Sequence, residues 1–245
     1  MSKTWKIVLI ISLAGNLGVI YVGIKALEYR GHINEYLDKY THVVSEFSRR
    51  DKYADENANL VSDTLIPNRI VFLGSQVTEN WDLSKHFTQY EAVNRGVSHQ
   101  RVAGFLLRFR PDVIELRPQA VVIEVSSYNF RPFCNLKEIE DYVTCMAELA
   151  ASNGIRPLPA TIIPILEDSL VESDYHLLDT LARFNEWLKA YCAEKRFDYI
   201  DFNSALADVD GFLRPEYSSA AIDLNERGYD QISQTTREVL STFRQ

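Results

Sequence analysis

Cysteine is scarce in this sequence, and glycine, proline and basic charge are in short supply too. Cys134, Cys145 and Cys192 are the only cysteines in 245 residues, too few and too scattered for a disulfide framework or a zinc site. Cys145 and Cys192 fall in helical patterns and are expected to be small core residues, and an odd count leaves at least one thiol free or intermolecular. With ten glycines and eight prolines, there is no low-complexity tract and no internal repeat. A formal charge of -8 supplies no basic stripe to neutralise phosphates, which argues against a nucleic-acid partner. His32, His42, His86 and His176 have no Cys, Asp or His neighbour at ligand spacing. No metal and no cofactor is expected.

What the chain does have, first, is a long uncharged run. Ile7 to Ile24 carries no charge between Lys6 and Lys25 and is flanked by Trp5, just long enough to cross a bilayer core as a helix. The run is long for a signal peptide and no clean small-x-small cleavage site follows it, so an uncleaved anchor over residues 1–28 is the favoured reading. A short amino-terminal tail is easiest to leave in the cytoplasm, with the large domain exported. Ile33, Leu37, Tyr40, Val44 and Phe47 then recur at spacings of four and three, the seam of a short coiled coil. Two heptads are too few to stand alone, so residues 29–60 are expected to pack on the chain's own domain or on a membrane-protein partner held through residues 7–47. The charged stretch from Arg49 to Asn59 is expected to be a solvated helix end or linker, with the domain boundary near residue 60.

From residue 61 to 245 the pattern alternates strand and helix, which implies parallel strands with helical crossovers. Strands are expected at Ile70 to Leu73, around Tyr90 to Asn94, and at Ala120 to Val125, Leu158 to Ile163 and Tyr199 to Phe202. Helices are expected at Val102 to Phe109, Asp112 to Leu116, Glu138 to Ser152, through Leu177 to Tyr191, and from Asn225 to about Phe243. The helix after Glu138 carries Ile139, Val143, Met146 and Ala150 on one face and ends at Asn153-Gly154, a good carboxyl-terminal cap. The expected fold is a flavodoxin-like three-layer α/β/α sandwich with a five-stranded parallel sheet.

The stretch Arg-Ile-Val-Phe-Leu-Gly-Ser-Gln-Val-Thr-Glu-Asn-Trp, Arg69 to Trp81, reads as a buried strand running into a polar turn, and in open α/β sheets ligands sit at such carboxyl ends. It resembles the first block of the SGNH (GDSL) hydrolases, Val-Phe-x-Gly-Asp-Ser-Ile-Thr, whose serine is the nucleophile. Ser75 stands where that family has Asp and Gln76 where it has Ser. Asn94-Arg95-Gly96-Val97-Ser98 is similar to the second block, and Gly96 fits the glycine that gives a backbone N–H to the oxyanion hole. Ala120 to Asn129 looks like the third block, which ends Gly-Thr-Asn-Asp. The oxyanion asparagine there is replaced by Tyr128, with Asn129 next to it. Ile222-Asp-Leu-Asn-Glu-Arg-Gly-Tyr229 is close to the last block, with Ala220 at the catalytic Asp position and Asp223 at the His position.

A serine esterase needs a hydroxyl to attack, an imidazole to take its proton, a carboxylate to orient that imidazole, and donors for the oxyanion. The corresponding positions hold Gln76, Asp223, Ala220 and Tyr128, so the resemblance implies the fold without the chemistry. A carboxylate with an ordinary pKa near 4 is a weak base at neutral pH. Rewired hydrolysis would draw on Ser75, Ser98, Ser126 or Ser127, with Ser75 and His99 as the best nucleophile and base. The cleft would still be polar, and Gln76, Glu79, His99, Tyr128, Asn129 and Asp223 are its candidate contacts for a small polar ligand such as a carbohydrate or acyl fragment. Trp81, Phe130 and Phe133 are expected in the core rather than at the rim.

Two functions are compatible with these features. The first is a single-pass pseudo-hydrolase in the cytoplasmic membrane, its domain on the periplasmic or extracellular side, acting as a structural or accessory subunit of a membrane complex. The second is an exported, membrane-tethered esterase or acetyltransferase acting on cell-envelope carbohydrate or lipid esters. A non-catalytic ligand sensor is a third.

Overall fold

The computed structural model describes residues 3–130, 135–170, 175–220 and 223–244. Phe133, Cys134 and Ile222 lie outside the described residues, as do the side chains of Tyr40, His42, Val44 and His176. The chain divides into two compact units, Met1–Phe47 and Ser48–Gln245.

The first unit is carried by α1 (Lys3–Ser48), a single helix of 46 residues. Within it, Lys3–Asn34 is long and apolar enough to cross a membrane. Apolar side chains such as Ile10, Leu13 and Val19 are exposed along it, and so are Ile33 and Leu37 of the expected seam. No break separates the apolar run from the seam that follows.

The second unit begins at Ser48 rather than near residue 60. Tyr53 is buried, and so is Asn57 of α2 (Ala54–Leu60), although this stretch reads as a solvated linker. The reason is that its polar groups meet buried partners. Asn57 donates to Asp112 at 2.6 Å, and Arg95 donates to Asn57 Oδ1 at 2.8 and 3.0 Å. A charged stretch can be buried when each charge finds a partner, which composition alone does not reveal.

The sheet runs β2 (Glu91–Gly96), β1 (Ile66–Gly74), β3 (Pro118–Ile123), β4 (Arg156–Pro159), with every pairing parallel. Side chains alternate along β1. Val71 and Leu73 pack into one core with α5 (Val102–Phe109), α6 (Leu136–Ser152) and α7 (Tyr175–Lys195), while Ile70 and Phe72 pack into the other with α8 (Phe202–Leu206) and α9 (Glu226–Ser241). All four are fully buried, which is why the run reads as continuously apolar.

The sheet has four strands, not five. The expected fifth, at Tyr199 to Phe202, is reduced to a parallel bridge between Ala160 and Ile200. Asp201 caps α8 by accepting from the Ser204 N–H at 3.1 Å, so helix begins where strand would have continued. The strand expected through Ile163 ends early because the Ile162 N–H donates to the Asn185 side chain at 2.8 Å instead of to a neighbouring strand. The helix expected at Asp112 to Leu116 is a π-turn over Arg110–Ile114. Cys192 is buried but Cys145 is exposed, since it sits off the stripe of Ile139, Val143, Met146 and Ala150 that faces the core. Trp81 and Phe130 are core residues.

Candidate functional site

Strand β1 ends at Gly74, and the chain turns at Ser75 into the single turn α3 (Gln76–Glu79), with the short α4 (Leu83–His86) after it. Gly74 is required by crowding. A Cβ there would lie 2.0 Å from Thr78 Oγ1 and 2.5 Å from Glu124 Oε2. Glu124 follows β3 and is fully enclosed. Its carboxylate accepts the Ser75 N–H and the Ser75 hydroxyl, both at 2.8 Å, and the Thr78 hydroxyl at 3.0 Å. Burial pushes the Glu124 carboxyl up, and the hydrogen bonds from Ser75 and Thr78 only partly offset it.

A cavity of about 100 Å3 opens at this turn, lined by Ser75, Gln76, His99, Gln100, Ser126 and Tyr128. Gln76 reaches across to the carboxyl-terminal hairpin, and its amide donates to Asp223 Oδ1 at 2.8 Å. Asp223 belongs to β6 (Asp223–Leu224), which pairs antiparallel with β5 (Ser218–Ala220), and Ala220 stands opposite Asp223 in that register. The fold therefore brings positions 76, 220 and 223 to one place.

The remaining expected contacts are divided between the cavity and its supports. His99 has φ of +60°, a left-handed backbone that favours glycine, and its ring stands edge-on to Tyr128 with centroids 6.2 Å apart. Tyr128 is partly exposed, with the Arg101 guanidinium 4.6 Å from its ring centroid. Asn129 faces inward. It accepts the Val102 N–H at 2.7 Å and donates to Ser126 O at 3.2 Å, which ties down the start of α5. The Gly96 N–H donates to Asn94 Oδ1 at 2.8 Å, and a Cβ on Gly96 would lie 2.1 Å from Glu79 N. That glycine lets α3 lie against β2, and its N–H is engaged within the strand end.

Glu79 is held by Lys52 and by the Ser98 hydroxyl, and accepts the Ser98 N–H at 2.5 Å. Burial pushes the Glu79 carboxyl up, but the hydrogen bonds from Lys52 and Ser98 more than offset it and hold it below its ordinary value. Of the four candidate serines, Ser98 gives its hydroxyl to Glu79 and Ser75 gives its to Glu124, Ser126 lines the cavity with its hydroxyl accepting the Tyr128 N–H at 3.2 Å, and Ser127 is buried. No hydrogen bond joins Ser75 to His99 among the described residues, and no group of three or more His, Cys, Asp or Glu could hold a metal ion there.

Sequence reasoning missed the support behind the rim. Tyr53 donates to Gly96 O at 2.5 Å and Lys52 donates to the same carbonyl at 3.0 Å, while Gln100 donates to Ser48 O at 3.1 Å. Arg108 is fully enclosed, bonded to Gln100 Oε1 and Asp112 Oδ2, each at 2.7 Å. A signal existed for Glu124, a lone carboxylate inside the apolar run Ala120 to Val125. None existed for Lys52 or Tyr53, whose partners lie 27 to 44 residues away in sequence.

Residues 73–231 match the GDSL-like lipase/acylhydrolase family. The chain is 26% identical to a GDSL-like lipase from Bacteroides thetaiotaomicron, with a TM-score of 0.73 over 80% of this chain and 98% of that one. In fold it is also similar to a member of the lipolytic G-D-S-L family from Veillonella parvula (19% identity, TM-score 0.59, 72% of this chain and 99% of that one). The OSK domain of Drosophila Oskar shares the fold as well (18% identity, TM-score 0.52, 69% of this chain and 86% of that one). No curated protein matches the chain.

Proposed function

The chain belongs to the GDSL-like lipase/acylhydrolase family, and we propose that it is a member which retains the fold without the hydrolytic chemistry. In this reading it is a single-pass membrane protein whose domain lies on the outer side of the cytoplasmic membrane, serving as a structural or accessory subunit of a membrane complex. One observation carries the proposal. Gln76 and Asp223, at the positions of the family's nucleophile and histidine, are bonded to each other at 2.8 Å. A carboxamide donating to a carboxylate has no attacking hydroxyl and no imidazole to take a proton.

The residues retained from the family pattern have structural work here. Asn225 caps α9 by accepting the Gly228 N–H at 3.1 Å, and also donates to Glu216 O and Ser218 O. A Cβ on Gly228 would lie 2.5 Å from Tyr217 O, and Tyr229 donates to Val77 O at 3.1 Å. Positions that build the fold keep their residues, while positions that only perform the reaction do not. The long apolar helix supports the anchor, and the exposed Ile33 and Leu37 favour a partner for the segment beyond it.

Fluorophosphonate labelling of the detergent-solubilised full chain, with an active relative as control, tests the reading. No adduct is expected. A stoichiometric adduct mapped to Ser75, Ser98, Ser126 or Ser127 would overturn it and establish a rewired nucleophile.

A further inference from the structure

A second and larger cavity lies beyond the carboxyl end of β4, between the 162–165 run, the first half of α7 and the turn at 210–212. Its volume is about 330 Å3, and it shares no lining residue with the cleft at Gln76. Ligand pockets in proteins begin at about 300 Å3, mostly apolar with a few placed polar groups. This one has that make-up. Ile162, Ile165, Leu181 and Phe212 supply apolar surface.

Asn185 is the polar group set into that surface. It is 8% exposed, and its Oδ1 is used by the Ile162 N–H. Asn185 lines the cavity, and no hydrogen bond donated by its amide nitrogen is found among the described residues. An amide donor that faces a cavity can donate to an acceptor that enters it. Asn203 also lines the cavity, its amide donating to Ile162 O at 3.2 Å, and so do two exposed carboxylates, Asp179 and Asp210, while no Lys, Arg or His is among the lining residues. Asp179 has a long contact with Arg183 at 4.0 Å. Asp210 makes no side-chain ion pair among the described residues, since its backbone N–H donation to Asp208 does not involve its carboxylate.

We infer that this cavity is a binding site for a small organic cation, an aliphatic primary ammonium that also carries a carbonyl acceptor. The aliphatic body would lie on Ile162, Ile165, Leu181 and Phe212, the carbonyl would accept from Asn185 Nδ2, and the ammonium would sit against Asp179 and Asp210. Nothing in this assignment depends on the state of the Gln76–Asp223 cleft. It is a binding site only, with no covalent step.

Leucinamide carries all three features, and 4-methylpentanamide is the same body without the ammonium. Titration of the full chain in detergent, followed by calorimetry and saturation-transfer NMR, should give saturable binding of leucinamide and markedly weaker binding of 4-methylpentanamide. Asp210→Asn should weaken leucinamide by about threefold or more, in keeping with the loss of one partly exposed charge pair. Ala182→Trp, at an exposed helical position on the cavity lining, should abolish binding without unfolding the protein, which a thermal melt would check. Absence of leucinamide binding, equal binding of the two amides, or undiminished binding by Ala182→Trp would each overturn the assignment.

Discussion

The amide of Gln76 and the carboxylate of Asp223 are hydrogen-bonded at 2.8 Å although 147 residues separate them in sequence. A turn after the first strand and a hairpin before the last helix still converge, as a hydrolase of this fold requires. The pair that meets there is a donor and an acceptor with no proton to relay.

If only the reactive groups have been lost, restoring them is informative. Gln76→Ser with Ala220→Asp and Asp223→His should yield slow but measurable hydrolysis of p-nitrophenyl acetate above the parent protein. Full family-like rates are not expected, because the oxyanion position remains Tyr128 and one missing oxyanion donor costs on the order of 100- to 1,000-fold. A triple variant as inert as the parent would mean that the cavity of about 100 Å3 no longer admits an ester.

Glu124 sets a pH dependence whose sign follows from its burial. Its folded carboxyl is pushed above the unfolded value, so between the two values the native state holds a proton that the unfolded state has released. Any stabilisation from the neutral carboxyl is complete below the unfolded value, near 4.3, and is lost as pH rises through the folded one. The melting temperature of the parent, measured against Glu124→Gln, should therefore fall as pH rises above the unfolded value. A parent-minus-variant difference that rises with pH would contradict this account.

Arg108 and Asp112 are both enclosed, at 2.7 Å. Asp112→Ala leaves the guanidinium buried without its counter-charge and removes the Asn57 acceptor, so a loss of about 3–5 kcal/mol is expected in urea unfolding. Asp141→Ala, which breaks an exposed helical pair with Lys137, should leave the midpoint unchanged. Similar effects from the two substitutions would show that the buried pair is not what holds this end of the sheet.

Tyr53 ties the stretch after α1 to the rim of the cleft through Gly96 O. Its burial, with the nearby Glu79 charge, pushes its phenol up to about 12. A spectrophotometric titration of the parent should show fewer tyrosines ionising near pH 10 than the chain contains, because Tyr53, Tyr191 and Tyr229 are all pushed up by burial, and Tyr53→Phe should remove one of the late steps. The same variant should cost about 1 kcal/mol and speed amide exchange in residues 97–101, with the rest of the sheet unaffected.

Much of this organisation is legible in the residues themselves. Ile70 to Leu73 is buried on both faces, and a short β-branched and aromatic run closed by glycine reads as a central strand. The stripe Ile139, Val143, Met146 and Ala150 with its Asn153-Gly154 end is helical by spacing and by cap, and the uncharged run after Lys6 is a long helix by composition. Local chemistry was enough for the helices because their hydrogen bonds close within a few residues, and for the strand because an apolar run needs burial rather than one particular partner. The same logic overshot at Tyr199 to Phe202, where Asp201 capped a helix and cut the strand to a bridge.

What only the tertiary structure decided is where polar groups found partners. Glu79 reads as a cleft residue and is taken by Lys52 and Ser98. Asn129 reads as a candidate cleft contact and instead holds the start of α5. The stretch from Arg49 to Asn59 reads as solvated and is bonded into the sheet end through Asn57, Arg95 and Asp112. A charge or an amide has no preferred partner along the chain. Its place is fixed by whichever complementary group the fold brings within about 3 Å, and in a parallel sheet those groups come from distant crossovers.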